Sequence, residues 1–381
     1  MTTPPNTMPR ALVELDDRTL IDVVIAAITP PRATASTSFV LHAPLELAAR
    51  ASLLPMVAPP MRPLARQRIA EIAVQYVGSG IAVAVPAQAF ASNEQAYAQF
   101  FAAIETKNVD VADAAITYLA ANTTTQELRH RIFDAIVPLL SAAGHAPILL
   151  AALPMLDKQF TGAKALLRAP VRALAKSSDV RVSWHLAPRA YPHAANAAEK
   201  LQSVLAAAPR VASESDSIAP SVLAVEHSGD AARLLAPLID SLTITDVRRV
   251  LLRVAAWSML QDDPKHAPYG WTHCLTLPQA LLQNADVSQA HQALIAVAAT
   301  EVLGMRATEG NIDLDTTRLL PSLPPTPSIE ALVKFAATHR DAHVAKYTLA
   351  CLQAAGDDPE AAPLFMSAAA YLHDWWRIND V

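Results

Sequence analysis

Glycine is scarce, with 9 residues in a chain of 381. No Gly-x-Gly-x-x-Gly follows a strand pattern and no Gly-x-x-x-x-Gly-Lys-Ser/Thr occurs, so the usual backbone cradles for a nicotinamide, flavin or nucleoside phosphate are missing. A Gly-x-Ser-x-Gly elbow is absent too, which removes the main sequence support for serine-type acyl transfer. Cysteine is rarer still. Cys274 and Cys351 cannot build a disulfide framework and have no Cys-x-x-Cys spacing, so both read as small buried hydrophobes in a reducing, cytoplasmic setting. Charged residues make up only 17% of the chain, the net charge is −5, and Lys and Arg are scattered. Without a basic stripe to release phosphate counterions, nucleic acid is not an expected partner. Long hydrophobic runs are also missing. The most apolar stretch, 146–156, is interrupted by proline and falls short of the roughly 18 residues a membrane span needs. The opening Met1-Thr2-Thr3-Pro4-Pro5 lacks the basic-then-apolar order of a signal peptide.

What is abundant is apolar surface: 52% of residues are hydrophobic and the mean hydropathy is +0.23. That excludes a disordered chain and implies a large buried interior. Apolar residues recur at three- and four-residue steps over 17–28, 64–76, 93–104, 110–140, 194–205, 246–260, 288–303, 329–337 and 342–352, with a last helix expected at 359–376. Thr123-Thr124-Thr125 splits 110–140 into two helices, with Thr125 as the expected N-cap of the second. The best strand candidate is the short stretch 81–86. The fold expected is all-α, a large irregular multi-helical body with little or no sheet. The 29 prolines punctuate it at helix starts and stops. One domain spanning 1–381 is expected, with a seam near 212–221 and a Pro-rich hinge at 320–328. No period of about 33 to 47 residues marks a helical repeat.

Chemistry falls to the 12 histidines. His42, His145, His273 and His343 each stand in apolar, helical surroundings where an imidazolium is costly, and neutral imidazole is the commonest protein metal ligand. Each alone reads as a satisfied core histidine. Four of them on separate helices read better as a shared site. Lys346 follows His343 by three residues, so both side chains project from one helix face. The blander reading is a lysine snorkelling at a helix edge. Buried, its amine shifts toward the neutral form, which adds carbon dioxide to give a carbamate, an anionic oxygen ligand.

The segments Asp341-Ala342-His343-Val344-Ala345-Lys346-Tyr347, Gly144-His145-Ala146-Pro147-Ile148, His273-Cys274-Leu275-Thr276-Leu277 and His42-Ala43-Pro44-Leu45 resemble the spaced histidine blocks of the questin oxidase-like family, in the same order, from about residue 35 to about residue 356. The resemblance implies a mostly helical, haem-free, iron-dependent oxygenase acting with dioxygen on a small aromatic substrate. That substrate would be a polycyclic or polyketide-like compound of natural product metabolism, with oxidative carbon–carbon cleavage as one outcome. Carried over residue by residue, it implies a non-haem iron held by His42, His145, His273, His343 and a carboxylated Lys346. Glu46 and Asp341 are the candidates to fix histidine tautomers. His266, Tyr269 and Trp271 are candidate substrate contacts, read equally well as a loop whose aromatics close the core.

Other readings compete. His339 and His343, at i and i+4, could share a zinc ion, although Arg340 stands where a zinc protease would carry glutamate. Glu127-Leu128-Arg129-His130 matches one half of a di-iron motif without its second copy. His373-Asp374 reads as helix packing, and His185 and His193 as loop histidines. A non-catalytic helical scaffold that binds a ligand or protein is the alternative from a different class.

Overall fold

The computed structural model of the chain describes residues 12–33, 38–187, 191–213, 218–262, 267–308 and 326–379. Among them are 17 α-helices and no sheet, as the periodicity predicts. The chain divides into two compact units. The first comprises Met1–Ile136, Gly144–Asp179 and Val333–Lys346, and the second Val137–Ala143, Val180–Leu332 and Tyr347–Val381. The stretch 212–221 lies inside the second unit, and 320–328 shortly precedes the switch at Leu332 and Val333. Residues 214–217 and 320–325 of these two stretches lie outside the described residues.

The first unit is built from α1 (Asp17–Ile28), α2 (Ser38–Leu53), α3 (Arg62–Gly78), α4 (Asn93–Glu105), α5 (Val109–Asn122), α6 (Thr125–Ile136), α7 (His145–Gln159) and α8 (Arg168–Lys176). Its helix starts are set by short polar side chains. Asp16, Ser92 and Asn108 accept from the backbone N–H three residues on, at 2.9, 3.2 and 3.2 Å, satisfying donors the helix cannot. α2 packs on α3 and α7, α1 on α3, and α5 on both α4 and α8, burying Leu20, Ile25, Ile69, Phe100, Ile116 and Leu149. Inside this apolar unit lies an ion pair: Arg168 donates to both oxygens of Asp113 at 2.7 and 2.9 Å, with both side chains almost fully buried.

The second unit contains α9 (Ala197–Ala206), α10 (Ile218–His227), α11 (Asp230–Ile239), α12 (Ile244–Gln261), α13 (Thr272–Gln283), α14 (His291–Thr308) and α17 (Ala362–Asn379). The helices α15 (Ile329–Thr338) and α16 (Ala342–Asp357) each contribute residues to both units. α14 packs against α10, α12 and α13. Its approach to α10 depends on Gly304, where a Cβ would stand 2.7 Å from the Val222 Cα. The His373 ring pairs with the Thr348 hydroxyl at 2.8 Å, in keeping with helix packing.

Two local expectations need correction. Residues 81–86 form no strand. Arg32 and Ala82 make a single isolated bridge, with Ala33 N–H donating to Ile81 and Val83 N–H to Pro31. Ile81 and Val85 are exposed, so no second layer covers the segment. The N-cap of α6 is Thr124, whose hydroxyl accepts from Glu127 N–H at 3.1 Å, while Thr125 is already helical and its hydroxyl donates to Asp157.

Candidate metal centre

Three of the sequence-predicted histidines meet in the first unit. His42 lies near the start of α2, two residues before Pro44. His145 opens α7 behind Gly144, whose φ of 71° is the left-handed conformation that glycine adopts without strain. His343 sits in the first turn of α16. The His42 ring centroid is 4.5 Å from that of His145 and 4.6 Å from that of His343, edge to face in both cases. All three are buried. Lys346, also buried, is one turn beyond His343 on the same helix.

The tautomer of His343 is set by its neighbour. Asp341 precedes the first residue of α16 and accepts from the His343 backbone N–H at 2.7 Å, an N-cap bond. The same Oδ1 accepts from the ring Nδ1 at 3.1 Å, which puts the ring proton on Nδ1 and makes Nε2 the acceptor nitrogen. Burial raises the Asp341 carboxyl, but the hydrogen bonds and charge of His343 outweigh that and hold it below the usual carboxylate range. His343 is lowered by burial first and by the Lys346 charge second, so its neutral form is favoured.

Lys346 itself is pulled down to about 7 by burial, against the opposing pull of Asp341 and Glu46. Glu46 is raised by burial, with Arg50 and then Lys346 acting the other way. Glu46 does not bond a histidine in the role first expected for it. It accepts from the Arg50 Nε at 2.7 Å.

Arg50 is the residue that sequence reasoning missed. Almost wholly buried, it donates to the carbonyls of Ala336, Ala337 and His339 at 3.3, 3.0 and 2.7 Å. Arg68 adds a bond to the Thr338 carbonyl at 2.8 Å. Two arginines from α2 and α3 thus satisfy the orphan carbonyls at the end of α15, where cations are favoured, and fix the short connector that carries Asp341 into α16. The available signal was the spacing His42, Glu46, Arg50, which places all three on one face of α2.

The donor set fits a transition-metal ion. Imidazoles sharing an ion at a metal–nitrogen distance of about 2.1 Å bring their rings to within roughly 4.5–5 Å of one another, and the observed spacings are of that size. His339 is placed differently from the i, i+4 expectation. α15 ends at Thr338 and α16 begins at Ala342, so His339 and His343 do not share a helix face. The His339 Nδ1 accepts from Asp341 N–H at 3.1 Å and its ring stacks on Phe335.

His273 belongs to the second unit, in the first turn of α13. It is buried, and its Nδ1–H donates to the Tyr269 carbonyl at 2.9 Å, leaving Nε2 to act as an acceptor. Of the expected substrate contacts, His266 lies outside the described residues. Tyr269 and Trp271 belong to a π-helical turn, Ala267–Trp271, that leads into α13. Tyr269 is exposed, whereas Trp271 is fully buried and its indole N–H donates to Asp262 at 2.8 Å, so Trp271 closes the core. Cys274 and Cys351 are both buried. No helix among the described residues is long and apolar enough to cross a membrane. In comparisons with known proteins, no family model, curated protein or solved structure matches this chain.

Proposed function

We propose that this protein is a haem-free, iron-dependent oxygenase that uses dioxygen to oxidise a polycyclic aromatic or polyketide-like substrate, with ring carbon–carbon cleavage as the outcome the family resemblance implies. The observation that carries the metal is the contact of the buried His42, His145 and His343 rings beside a lysine whose amine is half neutral near pH 7. These three histidines and Lys346 would hold the ion. Iron supplies a redox centre able to exchange electrons with dioxygen and an electron-rich aromatic ring.

The chain's own residues prepare the site. Asp341 keeps the His343 proton on Nδ1. Arg50 satisfies the backbone ahead of Asp341 and neutralises Glu46, so the interior carries less unpaired charge. The neutral Lys346 amine attacks carbon dioxide, forming an N–C bond and releasing one proton. The resulting carbamate adds one anionic oxygen to the neutral imidazoles. The lack of dinucleotide fingerprints suits a substrate that is itself the electron donor.

The test is metal analysis of purified, iron-loaded protein, followed by oxygen consumption across a panel of hydroquinones and anthraquinols. The expected result is stoichiometric iron that is lost in His42→Ala, His145→Ala and His343→Ala, with helical content retained. Protein that takes up no stoichiometric transition metal would overturn the reading. Zinc retained in preference to iron, with no oxygen uptake, would replace it with a hydrolytic or structural site.

A further inference from the structure

The segment 81–85 has one occupied edge and one unused edge. On the first, Ala33 N–H donates to the Ile81 carbonyl at 2.8 Å and Val83 N–H to the Pro31 carbonyl at 2.7 Å. The Val83 carbonyl accepts from Arg168 Nη2 at 3.4 Å, so both backbone groups of Val83 are engaged. Consecutive residues beside an antiparallel bridge turn their N–H and C=O groups to opposite edges, so those of Ala82 and Ala84 point the other way. There, neither residue has a hydrogen-bond partner among the described residues, and both are exposed. Ile81 is 76% exposed and Val85 48%. Natural sheets protect such an edge with lysine, proline or an inward-pointing charge, and Ile81-Ala82-Val83-Ala84-Val85 contains none of these.

The order of residues decides what completes this edge. Ile81-Ala82-Val83-Ala84-Val85 reads almost the same in both directions. Laid antiparallel on a second copy with Val83 opposite Val83, it sets Ala82 opposite Ala84 on each side of the axis. In that register Ala82 and Ala84 exchange N–H···O=C bonds in both directions through the unused groups alone, and Ile81 meets Val85 across the strands. No charge on either copy opposes the approach, and Pro86, lacking an N–H, ends the pairing. The chain's own N-terminal stretch is a poorer occupant, because Pro4, Pro5 and Pro9 take three donors out of it. We propose that residues 81–85 are a self-association site, where two copies of this chain pair edge to edge about a twofold axis at Val83. Each copy then has both edges filled, so the contact closes at a dimer. So short a pairing falls well below the roughly 800 Å² per partner of a stable complex, and the dimer is transient.

Sedimentation velocity of the full-length protein from about 10 μM to about 1 mM tests this, with a monomer–dimer dissociation constant on the order of 100 μM expected. Ala84→Pro removes an outward N–H from each copy and no hydrogen bond within the chain, so it should weaken dimerisation at least about tenfold with helical content unchanged. Two doubly substituted variants test the register. Ile81→Lys with Val85→Lys, and Ile81→Glu with Val85→Glu, change exposed side chains and should each be monomeric alone. Mixed in equal amounts they should pair, because position 81 of one copy faces position 85 of the other. Three results would each overturn the proposal: a wild-type monomer throughout the range, which leaves the edge to water or to a different protein; a dimer indifferent to Ala84→Pro; or oppositely charged variants that stay apart when mixed.

Discussion

Asp341 grips His343 twice through one oxygen, at the backbone N–H and at the ring Nδ1. One carboxylate therefore starts the helix and orients the imidazole. Asp341→Ala should reduce metal affinity about 10- to 100-fold, the usual loss when the partner behind a ligating histidine is removed. It should also cost about 1 kcal/mol of stability as a lost cap. Asp341→Ser, which can cap but cannot accept the ring proton as a carboxylate does, should restore the stability and not the affinity. Metal titration and urea unfolding of the two variants measure the two effects separately.

Lys346 carries the second prediction. Burial lowers its pKa from an ordinary 10.5 to about 7, so between those values the unfolded chain binds a proton that the folded chain does not. This group's contribution to stability therefore rises as pH climbs from about 7 toward 10.5, and its burial penalty is greatest below 7. Lys346→Met should flatten that rise and stabilise metal-free protein at pH 6 by about 1–3 kcal/mol, while abolishing iron binding. In ¹³C-bicarbonate, a carbamate resonance should grow as pH rises through about 7 and be absent from the variant. If no such resonance appears in iron-free or zinc-loaded protein, Lys346 is not carboxylated.

Glu301 gives the opposite slope. It is fully buried on α14, neither carboxyl oxygen has a partner among the described residues, and burial pushes its pKa up to about 8. Between about 4.5 and 8 the folded state keeps a proton that the unfolded state releases, so stability falls as pH rises through that window and levels off above it. Glu301→Gln removes the slope. The variant should gain on the order of 2–5 kcal/mol relative to wild type between pH 5 and pH 8.5, read from denaturation midpoints at the two values.

The ion pair of the first unit predicts a contrast between neighbours. Asp113→Ala leaves Arg168 buried without its bidentate partner and should cost about 3–5 kcal/mol. Arg172 also reaches Asp113, at 3.0 Å, but is partly exposed, and Arg172→Met should cost less than about 1 kcal/mol. Urea unfolding of both variants at one pH checks the ranking.

Helix existence was legible because burial writes itself into a 3.6-residue period, and α1, α4, α12 and α16 lie close to where that period puts them. Residues 81–86 misled because alternation records only that a strand is affordable. Pairing needs a partner from elsewhere, and Pro31 and Ala33 supply two bonds and no more. Three histidines were legible as polar residues in apolar helices, and Asp341 as an acid beside one of them. Arg50 was hidden because its partners are backbone carbonyls, which no sequence pattern displays, on a segment nearly three hundred residues away. Glu301 was hidden for the reverse reason: its interest lies in the donors its surroundings lack.

The first unit takes its last piece, residues 333–346, from far along the chain. During synthesis at about 5–20 residues per second, α2 and α7 would leave the ribosome on the order of 10–60 s before the segment bearing His343 and Lys346 follows. For that interval the Arg50 guanidinium has none of its three distant carbonyls and His42 lacks the His343 ring. Assembly of the centre is thus a late event in the life of the nascent chain, and a folding helper or an early-arriving ion would act on a half-made site.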